Sequence, residues 1–270
     1  MLGEVHDNAE QHRLRLEVLR RAFAAGWRPA LAMEQFDRER QAEIARARRE
    51  RPADAQHVIA LAAPASTRGG SGWNWDFYRP FVALALEYDL PLVAANLSNA
   101  DASRIVKGGD AAVFDPAGLA ALGLDQPIAA DWQAAHEREI DAGHCHALPP
   151  GVWPRMARAQ FARDAVMADA LRRHASEAGI VLLAGNGHVR RDIGVPRWLG
   201  PAWQDRVFTV GYLETDGSVS ASTRMVSDVA LSGKSNDSAA PVPVFDAVVL
   251  TAPAQRPDPC LEFSRREARP

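Results

Sequence analysis

Residues 3–8, GEVHDN, set a carboxylate two positions before an imidazole. In extended backbone, residues two apart face the same side, so Glu4 and His6 point into one site. Three other short segments close on polar residues in the same way: Met33-Glu34-Gln35, Ala95-Asn96, and Gly185-Asn186-Gly187-His188. Glu4, His6, Glu34 and His188 form a nitrogen and oxygen set that suits a divalent transition metal. Without a metal, the same four could supply a general base and a general acid. Two glutamates brought close repel, so one must hold a proton or both must share a cation. Each residue alone is explained as well by a cap or a structural hydrogen bond. The set, converging from distant stretches, is what argues for a site.

Convergence requires particular elements. Apolar runs with turn signals around them occur at 30–36 (ALAMEQF), 90–97 (LPLVAANL), 179–187 (GIVLLAGNG) and 205–213 (DRVFTVGYL). Continuous apolar character suits strands buried on both faces of a parallel sheet. Helical periodicity lies between them. Over residues 9–25, Leu16, Leu19 and Phe23 form a stripe that His12 extends, with Asp7 or Asn8 as N-cap. Over residues 155–177, Met156, Met167, Ala170 and Leu171 form another, and Gly179 is expected to end that helix. Gln160 and Asp164 share the face of Met167 and Leu171.

The fold class is therefore α/β, a mostly parallel sheet flanked by helices, with a helical and irregular insertion over the carboxyl edge of the sheet. In such a sheet, ligands bind in the crevice beyond the carboxyl ends of the strands. Glu4, His6, Glu34 and His188 belong there as catalytic or metal-binding residues, with His12, Asn96, Gln160, Asp164 and Asn186 lining the pocket.

Residues 1–97 and 155–227 make up the expected core, and 98–154 the insertion or lid. Residues 228–270 hold a loop rich in small polar residues, one strand at 244–250 (VFDAVVL) and a tail expected to fray. The 270 residues are 47% hydrophobic and 24% charged, which can fill a substantial core. A formal net charge of −3 offers nothing to a polyanion, so nucleic acid is set aside. No apolar run nears the ~18 residues a membrane span needs. Cys145 and Cys260 are the two cysteines, too few for a disulfide framework; a single bridge between them stays open. No basic-then-apolar leader stands before residue 3, and the compartment stays open.

Weaker signals complete the reading. GNGHVR (185–190) lacks the third glycine of a dinucleotide loop. HCH (144–146) cannot close a four-ligand zinc site by itself and reads as loop decoration. The aromatic run WNWDFYRPF (73–81) reads equally as a platform for a flat ligand or as an apolar lead-in to a helix at 79–88.

LGEVHDNAEQH (2–12), AMEQFDRERQ (32–41), YRPFVALA (78–85), LVAAN (92–96), AQFARDAVMA (159–168) and AGNGHVRRDIGVP (184–196) together resemble the ChaN-like haem-binding lipoproteins. Those belong to the superfamily of the Tiki proteases and the erythromycin esterases. The likeness runs from Leu2 to about Tyr212. Where the family commonly carries two histidines, this chain has Gln11 and His12, so only His12 can inherit that role. The resemblance implies haem binding, iron acquisition, a homodimer enclosing haem, and a membrane-anchored or periplasmic placement. It also implies a tyrosine on iron, for which Tyr78, inside a matched block and beside Arg79, is the expected residue. The superfamily's enzymes imply the alternative, a metal-dependent esterase or peptidase using Glu4, His6, Glu34 and His188.

Overall fold

A computed structural model describes residues 1–63, 72–215, 223–224, 243–258 and 260. In chain order the elements are α1 (Ala9–Ala24), β1 (Ala30–Asp37), α2 (Gln41–Glu50), α3 (Ala55–Ala62), α4 (Trp75–Glu87), β2 (Leu92–Asn96), α5 (Asn99–Gly108) and α6 (Pro116–Leu122). Then come α7 (Ala130–Gly143), α8 (Trp153–His174), β3 (Ile180–Leu183), α9 (Asn186–Val189), α10 (Val195–Leu199), β4 (Val210–Glu214), β5 (Thr223–Arg224) and β6 (Ala247–Thr251).

β1 lies between β2 and β3, and both pairings are parallel. Leu2 forms parallel bridges to Leu183 and Val210, which inserts the N-terminal segment between β3 and β4. The first expected strand is thus a single bridge residue held by hydrogen bonds on both sides, Leu2 to Leu182 (2.9 Å) and Gly3 to Val210 (2.8 Å). β4 pairs with β6 in parallel, and β5 closes that edge in antiparallel fashion. Every residue of β1 before Asp37 and all of β2 are buried, as continuous apolar runs covered on both faces require.

Leu19 and Phe23 of α1 pack with Phe81, Val82 and Ala85 of α4 over one face of the sheet. Truncating a buried leucine such as Leu19 costs about 2–5 kcal/mol. Met167, Ala168 and Leu171 of α8 cover the other face, over Ala32, Val93 and Leu182. α8 ends at His174, earlier than expected. Ala175 is extended, and Gly179 instead takes a positive φ (86°) in the turn into β3. The helices of residues 99–143 gather on the outward side of α8 around Phe161, Ile105 and Ile140, forming a second apolar cluster.

Residues 252–258 and 260, the start of the tail expected to fray, are held by bonds to the rest of the chain, and residues 261–270 lie outside the described residues. Arg256 pairs with Asp7 and with Glu214, and Cys260 is disulfide-bonded to Cys145. The bridge that composition left open is therefore formed. Residues 232–242 of the polar loop lie outside the described residues. Among the described residues, no helix is long and apolar enough to cross a membrane.

Candidate functional site

The loop before α1 is fixed from both ends. Asn8 caps the helix, its side chain accepting from the Gln11 N–H at 3.1 Å. The Gln11 side chain in turn accepts from the Val5 N–H at 2.6 Å, a reciprocal arrangement of the capping-box kind. Val5 and Gln11 thereby hold the loop so that Glu4 turns inward. Glu4 is buried, and four side chains surround its carboxylate. The Tyr78 hydroxyl donates to Oε1 at 2.5 Å and His6 Nδ1–H donates to the same oxygen at 2.8 Å. Arg15 forms an ion pair with Oε2, and His12 Nδ1 lies 3.5 Å from Oε2.

Arg15 is wholly out of solvent, its guanidinium over the Phe81 ring. Burial brings its pKa down to about 10, against the nearby Tyr78, Tyr212 and Glu34. It stays a cation at neutral pH. Burial likewise raises the Tyr78 phenol above its ordinary range, with Arg15 opposing. His12 stacks on Phe77 and donates from Nε2 to the His6 carbonyl at 3.0 Å. Burial lowers its pKa, so the ring is neutral.

A second group is built from β1, α8 and the turn after β3. The β1–β2 register shifts between Met33 and Asp37, and Glu34 lies within that irregular stretch. Glu34 Oε2 accepts the Gly185 N–H at 2.8 Å, and Oε1 lies 3.5 Å from His188 Nε2. His188 Nδ1–H donates to the buried Asp164 at 2.6 Å. Burial works against ionising Glu34, but the charges of His188 and His6, the Gly185 N–H and Arg163 outweigh it and set its pKa below the ordinary value. For His188, burial opposes the charged form; Glu34 and Asp164 overcome that and raise its pKa. Burial dominates at Asp164 and raises its carboxyl. Gly185 joins the two groups. A Cβ there would lie 2.9 Å from the His6 ring and 3.8 Å from Glu34 Oε2.

Glu4, His6, Tyr78 and His12 therefore meet in one group, and Glu34, Asp164 and His188 in the other. Asn96 is buried at the end of β2 and accepts from Arg163 at 2.8 Å, so it braces the second group. Asn186 serves the sheet instead: its amide exchanges two hydrogen bonds with the Tyr212 backbone (2.5 and 3.0 Å). Gln160 is half-buried, and its side chain takes no part in these hydrogen bonds. Among the described residues, no three His, Cys, Asp or Glu side chains stand close enough together to hold a metal ion.

Sequence reasoning passed over Arg15, Arg163 and Gly185. A signal for Arg15 exists, because it follows His12 by three positions and precedes Leu19 by four, on the apolar stripe. The aromatic run forms the apolar lead-in to α4. Trp75 and Phe77 pack on the core, while Trp73 stands edge-on to His6 with ring centres 4.9 Å apart.

The paired glutamates and histidines stand at the carboxyl edge of a parallel α/β sheet, the edge beyond which ligands bind in sheets of this kind. The chain belongs to the family described as haem-binding uptake, Tiki superfamily, ChaN, whose model matches residues 1–199. Among solved structures it resembles ChaN of Campylobacter jejuni, described with cofacial haem binding. That match has 18% identity and a TM-score of 0.60, and it covers 81% of this chain and 82% of that one. A more distant likeness, at a TM-score of 0.45 and 12% identity, covers 99% of this chain and 80% of the erythromycin esterase EreC. The type III effector HopBA1 matches at 0.44 and 12%, over 93% of this chain and 86% of its own. No curated protein matches.

Proposed function

We propose that this chain binds haem at the mouth of the strand-exit cleft and that His6, in place of Tyr78, is the side chain that meets iron. A tyrosine ligand must reach the iron as a phenolate. Tyr78 is fully buried, bonded to Glu4 and held protonated. Tyr212 is buried as well. Tyr88 caps the far end of α4, at the amino edge of the sheet and away from the strand exits. These three are all the tyrosines of the chain. His6 fits better, and the observation that carries the reading is its pairing with Glu4. A carboxylate on Nδ1 fixes the tautomer that leaves Nε2 as the ligating atom and raises its basicity. The ring is half-exposed, with the Trp73 edge beside it as an apolar wall for a flat ligand. Haem, when bound, would supply a redox-capable iron, and the His6 imidazole would hold it.

A homodimer enclosing haem and a part in iron acquisition follow from the family and belong to the same proposal. An oxidising compartment agrees with the Cys145–Cys260 bond. The test is a hemin titration read at the Soret band. Wild-type and Tyr78→Phe proteins shift the band, and His6→Ala does not. A spectrum identical to free hemin for wild type, or an unchanged shift in His6→Ala, overturns the proposal.

One observation favours a second reading, a hydrolase. Asp164, His188 and Glu34 stand in line, with the only oxygen of Glu34 not bonded to backbone turned to His188. Glu34 would take the proton of an attacking water and His188 would pass it on, with or without a divalent metal. Ester and peptide substrates tested with manganese, cobalt or zinc check this. Activity that survives Glu34→Gln removes it.

A further inference from the structure

The tail beyond β6 is anchored to the loop that carries His6. The Ala252 carbonyl accepts from the Asn8 side chain at 2.9 Å, and the Ala254 N–H donates to Glu214 at 2.8 Å. Arg256 bridges Asp7 and Glu214, which ties the residue after His6 to the end of β4. Four positions further on, Cys260 is bonded to Cys145, just past the end of α7. Four residues of extended chain reach about 14 Å at most. The disulfide therefore holds the 98–154 segment and the His6 loop on a short common tether.

The tether matters because the other contacts are weak. Ion pairs of partly exposed side chains contribute little by themselves. Arg256 follows the end of β6 by five positions, so β6 already fixes one end of the strap, and with only that end held the residues beyond it lose chain entropy on docking. The covalent bond fixes the strap's far end, four positions beyond Arg256, and so narrows the conformations open to Arg256 beside Asp7. Cys145 and His146 both sit at positive φ (58° and 57°), which residues with side chains adopt seldom. The turn at the anchor is thus one that its surroundings must hold.

We propose that residues 252–258, with the disulfide at Cys260, are a redox-releasable strap. While Cys145 and Cys260 are bonded, it holds the turn of residues 6–8 against the end of β4. When they are reduced, the turn loosens and the cleft mouth widens on the His6 side. The reductant is a dithiol, small or protein-borne. It supplies two electrons and two protons, the sulfur–sulfur bond breaks to two thiols, and the reductant closes to its own disulfide.

Hydrogen–deuterium exchange without hemin tests the strap independently of the haem proposal. The samples are the oxidised chain, the dithiothreitol-reduced chain, Cys260→Ser and Arg256→Ala. Reduction and Cys260→Ser speed exchange of the Val5 and Asn8 amides at least tenfold, while the β1 amides of Leu31 and Ala32 keep their protection. Arg256→Ala, with the disulfide intact, speeds the same amides by a smaller factor than reduction does. Unchanged Val5 and Asn8 amides after reduction overturn the strap. Equal loss of protection in β1 also overturns it, because the bond is then a staple of the whole fold.

Discussion

The Tyr78 hydroxyl donates to Glu4 Oε1 at 2.5 Å, and neither side chain touches solvent. The bond joins α4 to the N-terminal segment across 74 positions. Tyr78→Phe keeps the ring and removes one of the two donors to that oxygen. A buried acceptor deprived of a partner costs about 1–3 kcal/mol. Tyr78→Phe is therefore expected to lower the unfolding free energy by that amount, seen in urea melts as a lower midpoint with no change in the slope. The hemin-induced Soret shift, carried by His6, is expected to persist.

Arg15 presents the same carboxylate with its full counter-charge. Arg15→Met leaves Glu4 buried beside donors but without a cation. Removing one partner of a buried ion pair costs about 3–5 kcal/mol. Adding Glu4→Gln to Arg15→Met is expected to recover part of that loss, since the stranded charge is gone. A double-mutant cycle from thermal melts checks this through a coupling well above 1 kcal/mol. Additive losses would show that Arg15 matters only for packing over Phe81.

What the sequence reveals here depends on the range of the interaction. The strands at 30–36, 90–97 and 179–187 are legible because covered parallel strands read as unbroken apolar runs. Asn8 is legible as a cap because capping is local. The convergence of Glu4 with His6, and of Glu34 with His188, follows from strand exits alone. Asn186 is harder to read, because an amide at a strand exit can serve a neighbouring backbone as readily as a pocket, and here its amide bonds the Tyr212 backbone. Tyr78 shows the limit of block matching: its block lies at the cleft while its own side chain turns inward on a helix face to Glu4. The Cys145–Cys260 bond spans 115 positions, and no local pattern reports such a pairing.

Gly185 offers a test of how closely the two groups are set. A methyl group at this position would press on the His6 ring, 2.9 Å from Cε1 and 3.2 Å from Nε2, with Glu34 Oε2 at 3.8 Å. The ring is half-exposed and can swing outward, so the fold tolerates the change. Gly185→Ala is expected to weaken hemin binding about tenfold or more, because His6 must leave its Glu4 partner. Its melting temperature should stay within a few degrees of wild type. Isothermal titration and a thermal melt on the same sample separate the two effects.

Glu34 and His188 set a pH window for stability that their variants should remove. Despite its burial, Glu34 titrates below its ordinary value of 4.5, because His188, His6, the Gly185 N–H and Arg163 favour its anion. Its contribution is present above pH 4.5 and is lost as pH falls through the depressed folded value. Burial opposes the charged His188, yet Glu34 and Asp164 raise it above its ordinary 6.5. Its contribution is complete below pH 6.5 and is lost as pH rises through the raised folded value. The pair therefore stabilises most between those two limits. Asp164 tilts the acid side, since burial raises its carboxyl above 3.8 and favours its protonated form in the folded chain. Unfolding free energies measured from pH 3 to 9 should show a maximum near pH 5–6 that flattens in His188→Ala, whose loss relative to wild type is largest there. A His188→Ala difference independent of pH would mean that the imidazole is not charged in the folded protein.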